Sequence, residues 1–581
     1  MSREVVIEPM TRIEGHLGIQ AKTDEALTKY VDAHSFETMF RGFEKILKGR
    51  EPADAIWITQ RICGVCPVPH SMASATAVDM AYQAPPPPMG TALRNLIFAS
   101  EELYDAPLGC IVLEGTDYSQ AIVRKHNPDW WKKAQKARAE HAGLHGYQKI
   151  SEIMEALNPV TGTLWLRSLE IQKIGRKMAS LLGAKHPHVN TVVPGGVAVS
   201  PTPSDLEAFA AMLSQHVAFA KEFVPIFDDL CDFLSGSGYE DAGARPTNLI
   251  SYGVYEDVES YDASYQNMPA WGEKRMMTPG VVIGGQLITT DLVEINLGVR
   301  EQIPSSYYDA WQGVEIVRDP MGNEVAAWHP WNKETTPHPG PAKNWEGKYS
   351  WGTSPRWQDW KKRADGASHV LEAGPIARMW VTAKAGKVRG STGNSLKFGL
   401  PEAVVAGYRV SDELEFDWKV PSKINAVERV RARAYFHAYS AYVAYNMLLQ
   451  ALDLVKAGKT QNWFHYKRPS EGLGVGMVDA MRGALGHWVV MRDGLIHRYQ
   501  VITPSTWNAS PRDTSGRPGP YEEAIIGTPI TEKVSSEEMK GVDVVRVVRS
   551  FDPCLACSVH VHAPGRSFKK DIDPLSFSPE Y

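Results

Sequence analysis

The sequence predicts a mainly α-helical fold of the mixed α+β kind, built around a helical core. Two long segments have the apolar spacing of amphipathic helices, and the region between them, about 235–425, is rich in Gly, Pro and Trp. The chain has 581 residues, of which 43% are hydrophobic and 22% charged. A chain of this length and composition can bury a sizeable core.

The first long helix is predicted in SDLEAFAAMLSQHVAFAKEFVPIF, residues 204–227. Ser204 as N-cap with Glu207 three positions later is the pattern of a capping box. Apolar residues then recur at intervals of three and four, which places them on one face of the helix. They are Leu206, Phe209, Leu213, Val217, Ala220 and Val224.

The second long helix is predicted in NAVERVRARAYFHAYSAYVAYNMLLQALDLVKAG, residues 425–458. Asn425 and Glu428 mark its start, and Gly458 is placed to end it. A further helix is expected over 91–104, after the rigid break APPPPMG at 84–90. The segment 329–357 has no sustained helical or strand period, and its Trp content favours ordered irregular structure.

Charge and the N-terminal sequence exclude several classes of protein. With 62 Lys+Arg against 67 Asp+Glu, the net charge of -5 gives no electrostatic footprint for nucleic acid. The start, MSREVVIEPMTRIEGH, has no apolar core of signal-peptide length, and no run of 18 apolar residues follows. We expect a chain that neither spans a membrane nor carries its own export signal.

Four of the 6 cysteines form two CxxC pairs, in RICGVCP (61–67) and DPCLACSVH (552–560). Such pairs indicate a metal site, because the two-residue gap lets both thiolates face one centre while nearby amides donate to sulfur. With only Cys110 and Cys231 left over, a disulfide framework is excluded.

Structural zinc is the commonest use of this arrangement, and His70 could complete a site of three cysteines and one histidine. Zinc ribbons, however, gather their cysteines in a short module, whereas these pairs lie near opposite ends of a long chain. Each pair also has polar neighbours that a reactive centre needs to orient its thiolates and that structural zinc does not need. These neighbours are Arg61, His70, Asp552 and His560.

RICGVCPVPH and DPCLACSVH resemble the two signature motifs of the [NiFe] hydrogenase large (catalytic) subunit family. Seven further blocks agree in order, so that the similarity runs from about residue 5 to 560. They are PMTRIEGHLGI (9–19), FRGFEKILKGR (40–50), GAKHPHVNTVVPGGV (183–197), YSWGTSPRW (349–357), EAGPIAR (372–378), RGALGHW (482–488) and PSTWNASPRD (504–513).

The resemblance implies an oxidoreductase that oxidises H2 by heterolytic cleavage to protons and electrons. It implies one intertwined large-subunit-like domain over 1–560, with a central bundle of long helices and small β-containing segments at the periphery. The electrons would pass to an iron–sulfur small subunit, in a heterodimer or higher oligomer, because this chain has no further cysteine clusters.

In this family nickel is held by four thiolates, two of which bridge to an iron that carries carbon monoxide and cyanide. Carried onto this chain, the resemblance makes Cys63 and Cys554 terminal nickel ligands, and Cys66 and Cys557 bridges. Soft thiolates suit such metals. His70 is placed to donate to a bridging thiolate.

H2 bound to a Lewis-acidic metal can lose a proton to a nearby base. By resemblance that base is Cys554, and Glu14 relays the proton outward; read on its own, Glu14 could instead be an ion-pair partner of Arg12 or a surface acid. Arg482 would lie over the open face of the metals and donate to a cyanide.

Asp117 and Asp552 would complete a charged canopy around Arg482, and Ser505 would donate to the other cyanide. For each of these, a structural ion pair or a turn cap is the alternative. Two positions depart from the commonest family pattern: Met481, where many relatives have proline, and Glu114, where many have histidine.

The resemblance also implies a buried magnesium, or another divalent cation, bound by Glu44, His560, the backbone carbonyl of Val501 and waters. Residues 561–581 would be a maturation extension of 21 residues, removed by a dedicated endopeptidase between His560 and Val561. Export signals in this family often lie on the small subunit, so the compartment is left open.

Two other classes of protein are alternatives. The quinone-site subunit of respiratory complex I shares ancestry with this family but typically lacks the four metal cysteines, which speaks against it. A non-enzymatic scaffold with structural zinc would contain zinc and neither nickel nor iron.

Overall fold

Long α-helices form the framework of the protein in its computed structural model, which describes residues 2–37, 42–303, 316–333, 350–365, 368–405, 408–411, 413–533 and 539–555. In chain order the α-helices are α1 (Phe43–Leu47), α2 (Pro52–Ile58), α3 (Pro67–Tyr82), α4 (Pro88–Pro107), α5 (Gln120–His126), α6 (Pro128–Ala134), α7 (Ala142–His145), α8 (Ile150–Ala156), α9 (Thr163–Gly183), α10 (Pro203–Leu234), α11 (Met268–Gly272), α12 (Leu292–Gly298), α13 (Pro375–Ala385), α14 (Ala426–Lys456), α15 (Pro504–Asn508), α16 (Pro520–Ile525) and α17 (Val542–Ser550). A π-helix, Leu108–Glu114, continues α4 directly.

The strands form small antiparallel sheets of two or three strands each. In chain order they are β1 (Glu4–Ile7), β2 (Leu17–Thr23), β3 (Tyr30–Glu37), β4 (Val192–Val193), β5 (Gly196–Val197), β6 (Leu249–Ser251), β7 (Gly280–Ile283), β8 (Gln286–Thr289), β9 (Val299–Gln302), β10 (Ser354–Gln358), β11 (Ser368–His369), β12 (Ser395–Leu400), β13 (Ala403–Val405), β14 (Tyr408–Ser411), β15 (Leu414–Lys419), β16 (Gly472–Ala480), β17 (Gly483–Arg492) and β18 (Leu495–Ile502). The strand orders are β1-β2-β3, β4-β5, β6-β7-β8, β11-β10-β9, β12-β15, β13-β14 and β16-β17-β18.

The predicted mixed α+β fold with a helical core is confirmed. Helices α4 and α10 each pack against both α9 and α14, which gives a central four-helix arrangement with buried apolar faces. The sheet β16-β17-β18 is not peripheral, because most of its residues are buried and it packs on α3. Among the described residues, no helix combines the length and apolarity needed to cross a membrane.

The predicted start of α14 is confirmed, and that of α10 is wrong by two residues. Asn425 caps α14 by accepting a hydrogen bond from the Glu428 amide at 2.8 Å, and Gly458 follows its end with φ 71°. Helix α10 instead begins after Thr202, which forms a capping box with Asp205. The proline at 203 favours this earlier start, because a first helical position needs no amide donor.

The other predicted segments fall as follows. The helix expected over 91–104 lies within α4, which is longer at both ends. The region 235–425 contains short helices and the strands β6 to β15, joined by loops. Of the segment 329–357, residues 334–349 lie outside the described part of the chain.

Helix α3 lies unusually close to β16, because glycines on the strand face carbonyls on the helix. A Cβ added to Gly476 would come within 1.8 Å of the Ala73 oxygen. The contact repeats because two strand residues advance about 6.8 Å and four helix residues about 6.0 Å. The facing pairs are Gly472 with Ala81, Gly474 with Ala77 and Gly476 with Ala73.

Candidate metal centre

Three cysteine sulfurs from the two ends of the chain converge in the interior. The Sγ atom of Cys554 lies 3.3 Å from that of Cys63 and 3.6 Å from that of Cys66. All three residues are buried and none is in a disulfide. The two motifs, 491 positions apart in sequence, therefore meet in one cluster.

Local backbone structure directs the first pair inward. Cys63 follows a 3₁₀ turn, Thr59–Ile62, and Cys66 is the N-cap of α3, whose first position is Pro67. The amides of Val65 and Cys66 both donate to the Cys63 sulfur at 3.2 Å, as the CxxC spacing predicts. Both donors therefore fix the position of the Cys63 sulfur.

The donor set fits a metal that prefers sulfur. A disulfide would need sulfurs about 2.05 Å apart, whereas metal–sulfur bonds of about 2.3 Å in a tetrahedron separate neighbouring sulfurs by about 3.8 Å. The observed separations are close to the second value, and the three sulfurs all lie within 4.8 Å of one another. Cys557, the fourth predicted ligand, lies outside the described residues, as do His560 and 561–581.

Glu14 lies directly beside the C-terminal cysteine. The Cys554 thiol donates to Glu14 Oε2 at 3.3 Å. The two backbones are joined as well, since Glu14 N donates to Pro553 O at 3.2 Å and Leu555 N donates to Glu14 O at 2.6 Å. Because Arg12 pairs with Asp117, this arrangement does not support the alternative that Glu14 serves as its partner.

Arg482 is buried next to the sulfurs between two carboxylates. Its NH2 atom lies 3.0 Å from Asp552 Oδ2 and 3.3 Å from Asp105 Oδ1, and its Nε donates to Asp552 O at 2.9 Å. Burial raises the pKa of Asp105 to about 7, against the opposing effect of Arg482. Arg482 stays charged, because the carboxylates and sulfurs outweigh the effect of burial and raise its pKa.

The expectation that Asp117 contacts Arg482 is corrected by the structure. Asp117 is fully buried between Arg12 and Arg549, with Arg549 NH1 2.8 Å from its Oδ1. Although burial opposes it, this pair of guanidinium groups lowers the pKa of Asp117. The second carboxylate on Arg482 is Asp105, which sequence reasoning missed.

A signal for Asp105 was present in the sequence. It lies in SEELYD, residues 100–105, an acidic run on a largely apolar helix, and the structure buries Glu101, Glu102 and Asp105 together. Acids on a buried helix are rarely tolerated without a partner. Burial also raises the pKa of Glu102, which pairs with Arg378, to about 8.

Ser505 contacts the backbone of Cys554, and His70 contacts His487. Ser505, on α15, accepts a hydrogen bond from the Cys554 amide at 3.0 Å. His70, on α3, contacts His487 through ring nitrogens 3.1 Å apart, and His487 contacts the Tyr499 hydroxyl at 2.8 Å. Donation from His70 to a bridging thiolate stays a prediction.

Two of the predicted magnesium ligands lie on elements that pack together. Glu44 is buried on α1, and α1 packs against β18, which contains Val501. The register of the sheet pairs Val501 with His487. With His560 outside the described residues, the magnesium site stays a prediction.

Comparisons with known proteins agree over nearly the whole chain. A family model described as nickel-dependent hydrogenase matches residues 41–159 and 152–560, and a HoxL-like model matches residues 4–27. The chain is 30% identical to the periplasmic [NiFeSe] hydrogenase large subunit of Desulfomicrobium baculatum, covering 96% of this chain and 95% of that protein. It is 28% identical to the Hydrogenase-2 large chain of Escherichia coli K12, covering 97% and 98%.

Solved structures give the same result. The actinobacterial-type NiFe-hydrogenase from Ralstonia eutropha H16 is 43% identical and superposes with a TM-score of 0.92, covering 96% of this chain and 100% of that one. A [NiFeSe]-hydrogenase of Dm. baculatum superposes with a TM-score of 0.71 at 28% identity, again covering 96% and 100%.

Proposed function

The chain belongs to the nickel-dependent hydrogenase family, and from that premise we propose how its residues hold the metals and move the proton. The protein is the catalytic large subunit of a [NiFe] hydrogenase, an oxidoreductase acting on H2. The observation that carries the proposal is the convergence of three buried cysteine sulfurs, of which that of Cys554 also contacts Glu14.

In the proposed centre Cys63 and Cys554 would be terminal nickel ligands, while Cys66 and Cys557 would hold iron as well as nickel. The iron would carry carbon monoxide and cyanide. When bound, the centre supplies the Lewis acidity that makes H2 acidic enough to split. The Cys554 thiolate takes up the proton, and Glu14 Oε2, 3.3 Å away, receives it next.

Arg482 presents a fixed positive charge to the centre from between Asp105 and Asp552. In the proposal it donates to one cyanide, and its two carboxylate partners stop the guanidinium from turning away. In the proposal the Ser505 hydroxyl donates to the second cyanide, while its oxygen accepts a hydrogen bond from the Cys554 amide. Asp117 acts at a distance, by fixing Arg12 two residues before Glu14.

The proposal includes a divalent cation, magnesium in the first instance, on Glu44, the Val501 carbonyl and His560. A buried carboxylate and a backbone carbonyl on adjoining elements are ligands suited to a hard cation. It also includes an iron–sulfur small subunit as electron acceptor and an endopeptidase that removes 561–581.

The test is made on the enzyme purified with its small subunit from nickel-supplied cells. We expect nickel and iron in the preparation, infrared bands of iron-bound carbonyl and cyanide, and H2-dependent dye reduction. A Cys554→Ser variant, which removes one proposed ligand, should lose nickel and all dye reduction, whereas Cys231→Ser, a buried cysteine outside the cluster, should retain both. Zinc alone, with neither nickel nor iron, would contradict the proposal.

A further inference from the structure

Arg482 belongs to a longer row of buried charges that alternate in sign. Beyond Asp552, the Nε atom of Arg433 lies 3.8 Å from Asp552 Oδ2, and Arg433 NH1 lies 2.8 Å from Glu114 Oε2. The row therefore runs Asp105, Arg482, Asp552, Arg433, Glu114, and each member is buried. Each arginine is flanked by two acids, so every charge in the row has opposite neighbours.

Both ends of the row lie on one continuous helical segment. Asp105 is in the last turn of α4, and Glu114 ends the π-helix that follows it. In an α-helix nine residues make two and a half turns and would put Glu114 on the side opposite Asp105. The wider turn of the π-helix changes this angle and lets Glu114 meet Arg433.

Arg433 and Asp552 also lie close to the helical segment at Gly109, between Asp105 and Glu114. A Cβ at Gly109 would lie 3.1 Å from Arg433 Cδ and 3.2 Å from Asp552 Oδ2, which is tighter than a normal contact. A glycine here thus allows the arginine and the carboxylate to approach the helix backbone. Arg433 is held on its remaining side, where NH2 donates to Ser550 O at 3.1 Å.

We propose that Arg433, held by Glu114, is a positioning residue that fixes the Asp552 carboxylate and, through it, the guanidinium of Arg482. The need for such support is visible at Asp552, whose φ of 54° is in the left-handed region that a non-glycine residue rarely adopts. Arg482 NH2 lies within 3.1 Å of both carboxylate oxygens of Asp552, and Arg433 Nε forms an ion pair with its Oδ2 at 3.8 Å. The inference rests on the proposed function of Arg482.

The test replaces Arg433 in the complex of large and small subunits. Arg433→Gln should retain nickel and iron, lower kcat for H2 oxidation at least tenfold with KM changed less than threefold, and shift the cyanide infrared bands. Arg433→Lys keeps the charge but cannot reach Glu114, Ser550 O and Asp552 together, so it should give smaller changes in the same direction. Glu114→Gln should shift the same bands by less than Arg433→Gln.

Arg94→Gln is the matched control. Arg94 is a buried arginine paired with Asp79 at 2.5 Å, on α4 but eleven residues, or about 16 Å of helix, before Asp105. It should lower thermal stability without moving the cyanide bands. If Arg433→Gln moves neither kcat nor the bands, or moves them no more than Arg94→Gln does, the positioning role is wrong.

A double-mutant cycle separates this inference from the proposed function. If Arg433 acts through Asp552, then Arg433→Gln combined with Asp552→Asn should lower kcat no further than Asp552→Asn alone. If the two substitutions together lower kcat by the product of their separate effects, the inference is wrong. The infrared bands and activity of the wild-type enzyme would still support the hydrogenase centre. A wild-type enzyme that shows neither the infrared bands nor H2 oxidation would instead contradict the proposed function.

Discussion

Glu14 contacts the Cys554 sulfur, and the backbones of the two residues are paired. The parallel bridge between Glu14 and Cys554 joins the N-terminal segment to the last described strand-like residues. That pairing brings the two side chains together, and Cys554 Sγ lies 3.3 Å from Glu14 Oε2. A proton acceptor at this distance needs an ionisable group, which an amide of the same shape does not provide.

We therefore expect Glu14→Gln to lower H2 oxidation by about 10²–10⁴-fold, the usual contribution of a positioned acid or base. Nickel and iron content and the infrared bands should stay at wild-type levels, since the amide keeps the shape of the site. Glu8→Gln, an exposed acid of the same segment, is the control and should have no effect. Activity of Glu14→Gln within threefold of wild type would argue against the relay.

Asp117 gives a stability prediction with a defined sign. Because Arg12 and Arg549 lower its folded pKa below 3.8, its ionised form stabilises the fold above about pH 4, and this stabilisation is lost as the pH falls through the folded value. Asp117→Asn should lower the free energy of unfolding at pH 7 by about 3–5 kcal/mol, because it leaves buried arginines poorly paired.

The measurement is the urea midpoint of wild type and Asp117→Asn between pH 7 and pH 3. The difference between the two should be constant down to about pH 4 and narrow below it. Asp129→Asn, a substitution of an exposed acid, should follow the wild-type curve. A difference that grows on acidification would contradict the assignment of Asp117.

At the level of residues, the sequence was most informative where a motif is local. The amides that donate to Cys63 follow from the CxxC spacing, and Glu14 follows from its motif. The choice between Asp105 and Asp117 does not, because Asp105 lies in the last turn of α4 and Asp117 lies beyond the π-helix, and only the path of the chain decides which one reaches Arg482. The π-helix that sets this path has no clear mark in the sequence.

The packing of α3 on β16 links the first cysteine pair to Arg482. Helix α3 begins immediately after Cys66, and the hairpin from β16 to β17 contains Arg482. A shift of the sheet away from the helix would therefore move the arginine relative to the sulfurs. Glycine at alternate strand positions is what allows backbone to approach backbone here.

Gly476→Ala should destabilise the protein by about 1–3 kcal/mol or more, since the added methyl would meet the Ala73 carbonyl rather than a flexible side chain. It should also broaden or shift the cyanide infrared bands by displacing Arg482. Gly143→Ala, in a helix with nothing within 4 Å of the added atom, is the control and should be neutral. Thermal unfolding and infrared spectra provide the measurements, and a fully wild-type Gly476→Ala would refute the packing argument.

Prediction of elements succeeded for long periodic helices and failed at details of their ends. The core of α10 and all of α14 follow from apolar spacing, because one face of each is buried. The first turn of α10 was misplaced because both Thr202–Asp205 and Ser204–Glu207 fit a capping box. The short strands between β6 and β15 were not predicted, since strands of two to six residues carry too little periodicity.

On the scale of the whole molecule, the centre joins segments that are far apart in sequence. Cys63, Cys554 and Glu14 come from three regions whose approach no local pattern predicts. Only the order of motifs along the chain indicated that they meet. The backbone pairing of Glu14 with 553–555 lies beside the point where Cys554 meets Cys63 and Cys66, so it joins the two ends of the described chain at the centre.

This joining of the two ends motivates the prediction for the C-terminal extension. A segment of 21 residues beyond His560 would keep the second cysteine pair accessible while the metals are loaded, and its removal would let the chain close over the site. Enzyme from nickel-supplied cells should therefore have an intact mass that ends at His560, whereas cells deprived of nickel should accumulate the chain of 581 residues. Substitution of Val561 by proline, which obstructs cleavage at that bond, should retain the extension and lower dye reduction even with nickel present. Mature, active enzyme that keeps all 21 residues would contradict this order of events.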